Sequence, residues 1–414
     1  MDSYWKIYDR YYDLQKFLKK HPGGDIALLH GKGRDSTILF EQYHIFNNRH
    51  LSVLDGFRIS DNKVEIEFNP FHQDIKEMVR EKLGNKTSIK FSYTILLFIL
   101  GLVDVYCWTC YFKGYWSVLP LLPLIHWLFA VNTSHDAGHF ALSKKPWINH
   151  LMVFTACPFF YNPLTWYFQH NISHHPFTNI ENMDEDLHHG NPYARFSSYQ
   201  KWTVIHKYQI FFVSMVIFLI TCFGESIIYP TRLYLNYLFP TRFKSFETIQ
   251  NKQFLTKRLF VNSMMNYLIS WFVLLRPFFL SEYSWVKSIC FSFIPWFLAS
   301  LIFIVVTQIS HIQENTLDIP PEEKKKMHWS INQVYSTVDY SQESRLVGFL
   351  TGGLNTQILH HLIPGVSSSH YPDLYPEFRK ICKKHDVKIM ENPSFLSSLW
   401  QYVKWIYKLQ SNNP

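Results

Sequence analysis

Residues 115–139 read YWSVLPLLPLIHWLFAVNTSHDAGH, and this stretch decides the fold. Tyr115 to Ser134 is apolar and long enough for a helix to cross a hydrocarbon core of about 30 Å. Where the apolar run ends, His135 and His139 stand four positions apart. On a helix those positions share a face, so both imidazoles can reach one metal. A metal-ligand pair just outside lipid implies an α-helical integral membrane protein with its chemistry at one membrane face. His126, inside the span, reads as a buried histidine satisfied by protein rather than as a ligand.

Working outward, Phe91 to Phe112 is a second apolar span, separated from the first by Lys113–Gly114, so the two predict a hairpin. Asp104 interrupts it and is expected near the luminal end or facing protein. Further apolar segments lie at 151–164, 208–229, 259–281 and 286–310. The first is too short to span and is expected along the interface. The loop at 231–258 carries Arg232, Arg242, Lys244, Lys252, Lys257 and Arg258, which marks it as cytosolic. Segment 208–229 then enters and stays, or lies in the interface. Segments 259–281 and 286–310 form a second hairpin turning near Glu282–Tyr283. The expected architecture is four transmembrane helices in two hairpins, both termini cytosolic, with a cytosolic helical metal domain.

Composition agrees with a mixed protein. Of 414 residues 17% are charged, below the roughly 25% of a soluble domain, and 18% are aromatic. The net charge of +8 is read as loop charge on a membrane protein, not as nucleic-acid binding. Six scattered cysteines argue against a disulfide framework. Cys107 and Cys110 have C-x-x-C spacing but sit at the end of a span, where a redox motif is not expected. The first 30 residues lack an apolar signal region, which keeps the N-terminus cytosolic.

The unusual number is 21 histidines. Beside His135 and His139, a second cluster is His170-Asn171-Ile172-Ser173-His174-His175, and a third is Gln357-Ile358-Leu359-His360-His361. His311 stands at the cytosolic end of the last span. A lone helical H-x-x-x-H is more often a surface pair than a metal site; three on one membrane face are a stronger signal. A catalytic zinc takes three protein ligands and a structural zinc four, so eight histidines suffice for two metals. Imidazole suits iron, copper, zinc and nickel alike, and spacing does not choose among them. Asp136, Asn171, Asp184 and Asp186 are candidates to hold the far nitrogens of the ligands; for Asp184 and Asp186 a role as solvated loop acids competes. His188-His189 reads as loop.

Residues 1–57 read as a small soluble α+β module and 58–90 as a helical connector carrying Lys76, Arg80, Lys82, Lys86 and Lys90. In the module, His21-Pro22-Gly23-Gly24 is followed by Asp35-Ser36-Thr37, Phe40 and His44. A b-type haem needs two histidines over an apolar pocket, and glycine lets the chain approach a porphyrin edge. This ordered set resembles cytochrome b5, with Trp5–Asp9 and Tyr12–Leu14 as counterparts of its second and third strands. The resemblance implies His21 and His44 as haem ligands; His50 is a rival at a less fitting spacing. The family's first strand has no counterpart in the 20 residues before the motif, so the expectation is either weakened haem binding or a misassigned start codon.

H-D-x-x-H, H-x-x-x-H-H and Q-x-x-H-H, in that order, resemble the histidine boxes of membrane fatty-acyl desaturases, and the likeness covers about 91–390. It includes Thr337-Val338-Asp339-Tyr340, Gly352-Gly353-Leu354-Asn355 and His361-Leu362-Ile363-Pro364-Gly365. The fused haem module and Gln357 resemble the front-end subgroup, which adds a double bond between an existing one and the carboxyl end. The resemblance implies a desaturase domain at 91–414 and two irons held by His135, His139, His170, His174, His175, His311, His360 and His361, with Gln357 ligating or orienting a neighbour. It also implies a fatty acyl substrate on CoA or a phospholipid, O2, an NADH-cytochrome b5 reductase and the endoplasmic reticulum membrane. A sphingolipid long-chain-base desaturase and a hydroxylase of the same family remain alternatives. A transmembrane haem carrier would need facing histidines inside the spans, which contain almost none.

Overall fold

Trp5–Ile7 (β1) and Arg10–Tyr12 (β2) pair antiparallel with Trp5 opposite Tyr12. Tyr8 and Asp9 between them take φ of 50° and 57°, the two-residue turn whose twist suits a hairpin. Because the turn follows Ile7 at once, the second strand is Arg10–Tyr12 and not Tyr12–Leu14 as the sequence suggested. The helices Asp25–Leu29 (α1), Thr37–Tyr43 (α2) and Arg49–Asp55 (α3) complete this part. The computed structural model describes residues 3–45, 49–59, 66, 68–188, 190, 192–213, 217–238, 256–317 and 319–412.

Within the connector, Pro70–Leu83 (α4) starts with Pro70 at its first position, where a missing N–H costs nothing. The Asn69 side chain caps it by accepting from the His72 N–H at 3.3 Å. Its buried face, with Phe71, Ile75, Met78 and Val79, packs against the helix Tyr371–Lys384 through Tyr375, Phe378 and Ile381.

Phe91–Phe112 (α5) and Val118–Gly138 (α6) pack side by side. Asp104 faces protein: its carboxylate accepts from His126 Nδ1 at 3.0 Å, between α5 and α6. Among the described residues three helices are long and apolar enough to cross a membrane: Phe91–Phe112, Lys257–Phe279 and Trp285–Gln308. α6 is not among them, since two prolines, His126 and its polar last turn dilute its apolar character. The Trp285–Gln308 helix packs against both α6 and Phe218–Phe223, where Cys222 N–H donates to Ser300 Oγ at 3.0 Å.

Two further apolar segments are irregular. Residues 151–164 form short helical turns and no spanning helix, and Val153, Ala156, Phe159, Phe160 and Leu164 are buried in protein. In segment 208–229 the described elements are Gln209–Phe212, Phe218–Phe223 and the π-helix Gly224–Ile228, which runs on into Tyr229–Leu238. Arg242, Lys244 and Lys252 of the basic loop, and His189, lie outside the described residues. Cys107 and Cys110 both lie on α5 as free thiols.

Candidate metal and haem sites

α6 carries the first histidine pair. His135 lies in its last turn and His139 is its C-cap, and their rings are 5.0 Å apart. The third cluster lies on the helix Gln357–Leu362. There the four-residue spacing works as expected, with Gln357 Nε2 3.3 Å from His361 Nε2. Neighbouring His360 points elsewhere, because successive helical residues diverge by about 100°.

The second cluster does not follow the α-helical rule. Tyr167–His174 is a π-helix, whose wider turn makes neighbours of positions five apart. His170 Nε2 therefore lies 3.1 Å from His175 Nε2, and His174 turns to a different set of partners. His170 and His174, four apart, still come within 4.8 Å of each other together with Asp186, so the motif serves both neighbourhoods.

His135, His139, His170 and His360 bring one ring nitrogen each within 4.8 Å of one another. His174, His311 and His361 do the same, and His175, His360 and His361 form a third such group that joins the two. Nε2–Nε2 separations of 3.1 Å recur at His139–His170, His170–His175 and His175–His360. Two imidazoles bound at right angles to one metal, each at about 2.0–2.1 Å, place their nitrogens about 3 Å apart. Burial holds His139, His170, His175, His360 and His361 well below the ordinary histidine pKa, so these rings are neutral and can offer a lone pair. Neither ring nitrogen of buried His135 has a hydrogen-bond partner, and neither has His175 Nδ1. Nitrogens left bare in a protein interior are costly, and a metal would satisfy them. The residues present fit a pair of metals.

Several far nitrogens are held in place. His174 Nδ1 donates to both oxygens of Asp184 at 3.1 Å, with Asp186 3.4 Å away. Burial lowers the His174 pKa, but Asp184 and Asp186 outweigh it and carry the group up to about 9. His311 Nδ1 donates to the Ser336 carbonyl at 3.3 Å, and His361 Nδ1 lies 3.0 Å from Thr178 Oγ1. Asp136 and Asn171 touch no ligand ring. Asp136 accepts from Ser367 Oγ at 2.7 Å and Ser368 N–H at 3.1 Å, while Asn171 donates to the Gly138 carbonyl at 3.0 Å. These two fasten the clusters to each other through backbone. Sequence reasoning missed Thr178 and Ser336, and it missed Tyr43, whose hydroxyl is 2.9 Å from His139 Nδ1. Nothing in their local sequence sets them apart.

Gln357 Nε2 lies 2.9 Å from His311 Nε2, and its Oε1 is buried without a partner. Turned about its last bond, the amide presents its oxygen to both His311 and His361. His188 Nε2 faces Glu181 at 3.8 Å and joins no cluster, and His126 stays with Asp104.

The second site lies between α2 and the Pro-Gly-Gly turn. His21 Nδ1 donates to the Gly24 carbonyl at 3.0 Å and His44 Nδ1 to the Phe40 carbonyl at 2.8 Å, which reserves both Nε2 atoms. Their ring centres are 6.2 Å apart. Two imidazoles on opposite sides of one iron, each bonded at about 2.0 Å, have centres about 6 Å apart. Burial lowers both pKa values, that of His44 to about 3. A cavity of about 600 Å³ opens there, lined by Leu28, Leu39, Phe40, Val53 and Phe57. The pair fits a haem. The His50 ring lies 4.9 Å from that of His44, tilted by 38°.

The family model for fatty acid desaturases matches residues 113–393, and the model for cytochrome b5-like heme/steroid binding domains matches residues 1–80. The chain is 32% identical to an acyl-lipid omega-13 desaturase of Chlamydomonas reinhardtii, over 99% of this chain and 94% of that protein. It is 27% identical to acyl-lipid (8-3)-desaturase B of Dictyostelium discoideum, over 99% and 91%. An sn-1 linoleoyl-lipid 6-desaturase of Arthrospira platensis is 26% identical over 68% of this chain and 74% of its own length. No solved structure matches.

Proposed function

Because the chain belongs to the fatty acid desaturase family and carries a cytochrome b5-like domain, we propose that it places a double bond between an existing one and the carboxyl end of a lipid-bound acyl chain. As a member of that family it is an oxidoreductase. The observation that carries the reading is one cavity. Trp127, Val131, Phe160 and Phe303 give it apolar walls, and His135, His170, His174 and His311 from both clusters line the same space. A short stretch of an apolar chain entering this cavity of about 70 Å³ would lie against histidine rings of both clusters.

Two irons with O2 supply the oxidising power that unactivated C–H bonds require and that no side chain has. The protein contributes position. His135, His139, His170 and His360 would hold one metal and His174, His311 and His361 a second; His175 adjoins both groups and Gln357 lies beside the second, as the clustering of their nitrogens supports. Asp184 keeps His174 oriented, and the apolar rings exclude water. His21 and His44 would hold a haem, which would supply electron transfer from an NADH-dependent reductase.

The partition is 1–57 for the haem domain, 58–90 for the connector and 91–414 for the desaturase domain. α5 and α6 form one membrane hairpin and the helices within 257–308 the other, with both termini on the cytosolic side of the endoplasmic reticulum. The names of the relatives, acyl-lipid omega-13 and (8-3) desaturases, favour an acyl-lipid substrate.

The test is expression in yeast fed unsaturated fatty acids, with double-bond positions determined by mass spectrometry. A new bond on the carboxyl side of an existing one is expected. A new bond only in sphingoid bases would reject the fatty-acyl reading.

A further inference from the structure

The cavity between His21 and His44 is closed by both parts of the chain: beside Leu28 and Phe40, its wall includes His139, Phe140 and Pro146. The last turn of α2 makes the joint. Glu41 accepts hydrogen bonds from Trp329 Nε1 and from the Tyr8 hydroxyl. Gln42, fully buried, donates to the carbonyls of His175 and His361 at 3.2 and 3.1 Å. The Tyr43 hydroxyl lies 2.9 Å from His139 Nδ1, and the next residue is His44. The Tyr43 ring is gripped from the other side, since a Cβ on Gly365 would stand 3.3 Å from its Cδ1. At the far edge Arg258 meets Asp25 at 3.0 Å. Buried, directional contacts of this kind define a fixed docking and not a tether that swings.

Resting on the reading above, we propose that Tyr43 is the electron bridge between the two sites. The path runs from the His44 imidazole through the backbone to the Tyr43 ring, then across one hydrogen bond to His139. With His139 Nε2 turned toward the cluster, Nδ1 carries the ring proton and donates to the Tyr43 oxygen. Tyr43 ends each transfer unchanged, with one electron moved from the haem held by His21 and His44 to the metals held by His139 and its neighbours. The reductant is a flavin reductase feeding the haem, and the final acceptor is O2. Gln42 meets the backbone carbonyls of His175 and His361 and not their rings, so it fixes the docking and offers only a longer route through additional backbone bonds.

The experiment uses the full chain loaded with haem and iron in micelles containing linoleoyl phosphatidylcholine. The haem is reduced without air, mixed with O2, and its oxidation followed by absorbance. The iron-dependent phase is the difference between iron-loaded and chelator-stripped protein. In Tyr43→Phe this phase should slow about tenfold or more, while haem spectrum, haem midpoint potential and iron content stay native. Gln42→Leu, which removes two docking bonds and leaves Tyr43, should slow it less. Native-rate oxidation in Y43F, or equal slowing in both variants, overturns the bridge. Native protein that binds no haem or no iron overturns the functional reading itself, and the bridge with it.

Discussion

Asp184 holds His174 with both carboxylate oxygens at 3.1 Å, and it is itself fixed by the Asn179 N–H at 2.8 Å. The pair spans ten residues of a chain that turns from a π-helix into a loop, so the loop's position sets the angle of a candidate ligand ring. Asp184→Asn keeps the shape and removes the charge. Iron affinity should fall about 10- to 100-fold, the usual loss when such a partner is changed. Competition with a chelator measures it, and native affinity would detach Asp184 from the metal site.

The two sites should fail separately. His360→Ala removes a ring whose Nε2 is 3.1 Å from that of His175, so iron content and product should be lost while haem absorbance persists. His21→Ala should lose the haem band and most activity with iron retained. Metal analysis and an absorbance spectrum on each variant decide this; surviving activity in the second would point to a separate electron donor.

Gly138 lies between His135 and His139, and a Cβ there would stand 2.2 Å from the Trp166 ring. That ring stacks on His170 at 4.6 Å. Gly138→Ala should force Trp166 outward, costing about 1–3 kcal/mol of stability by overpacking, and should lower iron content. Gly56→Ala, whose added atom meets only the Val53 carbonyl at 3.4 Å, is the matched control. Thermal melts of the two purified variants should differ clearly.

Lys324 is buried, and its amine donates to the Thr316 carbonyl at 2.7 Å. Burial, only partly offset by Asp184, brings its pKa down to about 7. An unfolded lysine titrates near about 10.4, so between those values the unfolded chain binds the extra proton. The penalty is full below about pH 7 and fades as pH rises, so stability should rise with pH across that window. In Lys324→Met the rise should be smaller. Melting temperatures at pH 7.5 and 9.5 test it, and equal increments in both proteins would remove Lys324 from the explanation.

The sequence by itself determined the class, the order of parts and the residue types of both sites. Apolar runs such as 91–112 record lipid directly, and a histidine is a ligand candidate wherever it falls. It also marked His311, alone at the end of a span, which joins His174 and His361. Tertiary structure decided which histidines stand together. The π-helix at Tyr167–His174 brings His170 Nε2 to 3.1 Å from His175 Nε2 while His174 also meets His311 and His361, contacts that α-helical spacing does not reveal. Only packing brought Tyr43 to His139, 96 positions away, and buried Phe159, Phe160 and Leu164 within protein. Local patterns report what each segment prefers as a neighbour, lipid, water or metal; which neighbour it receives depends on contacts between segments far apart in the chain.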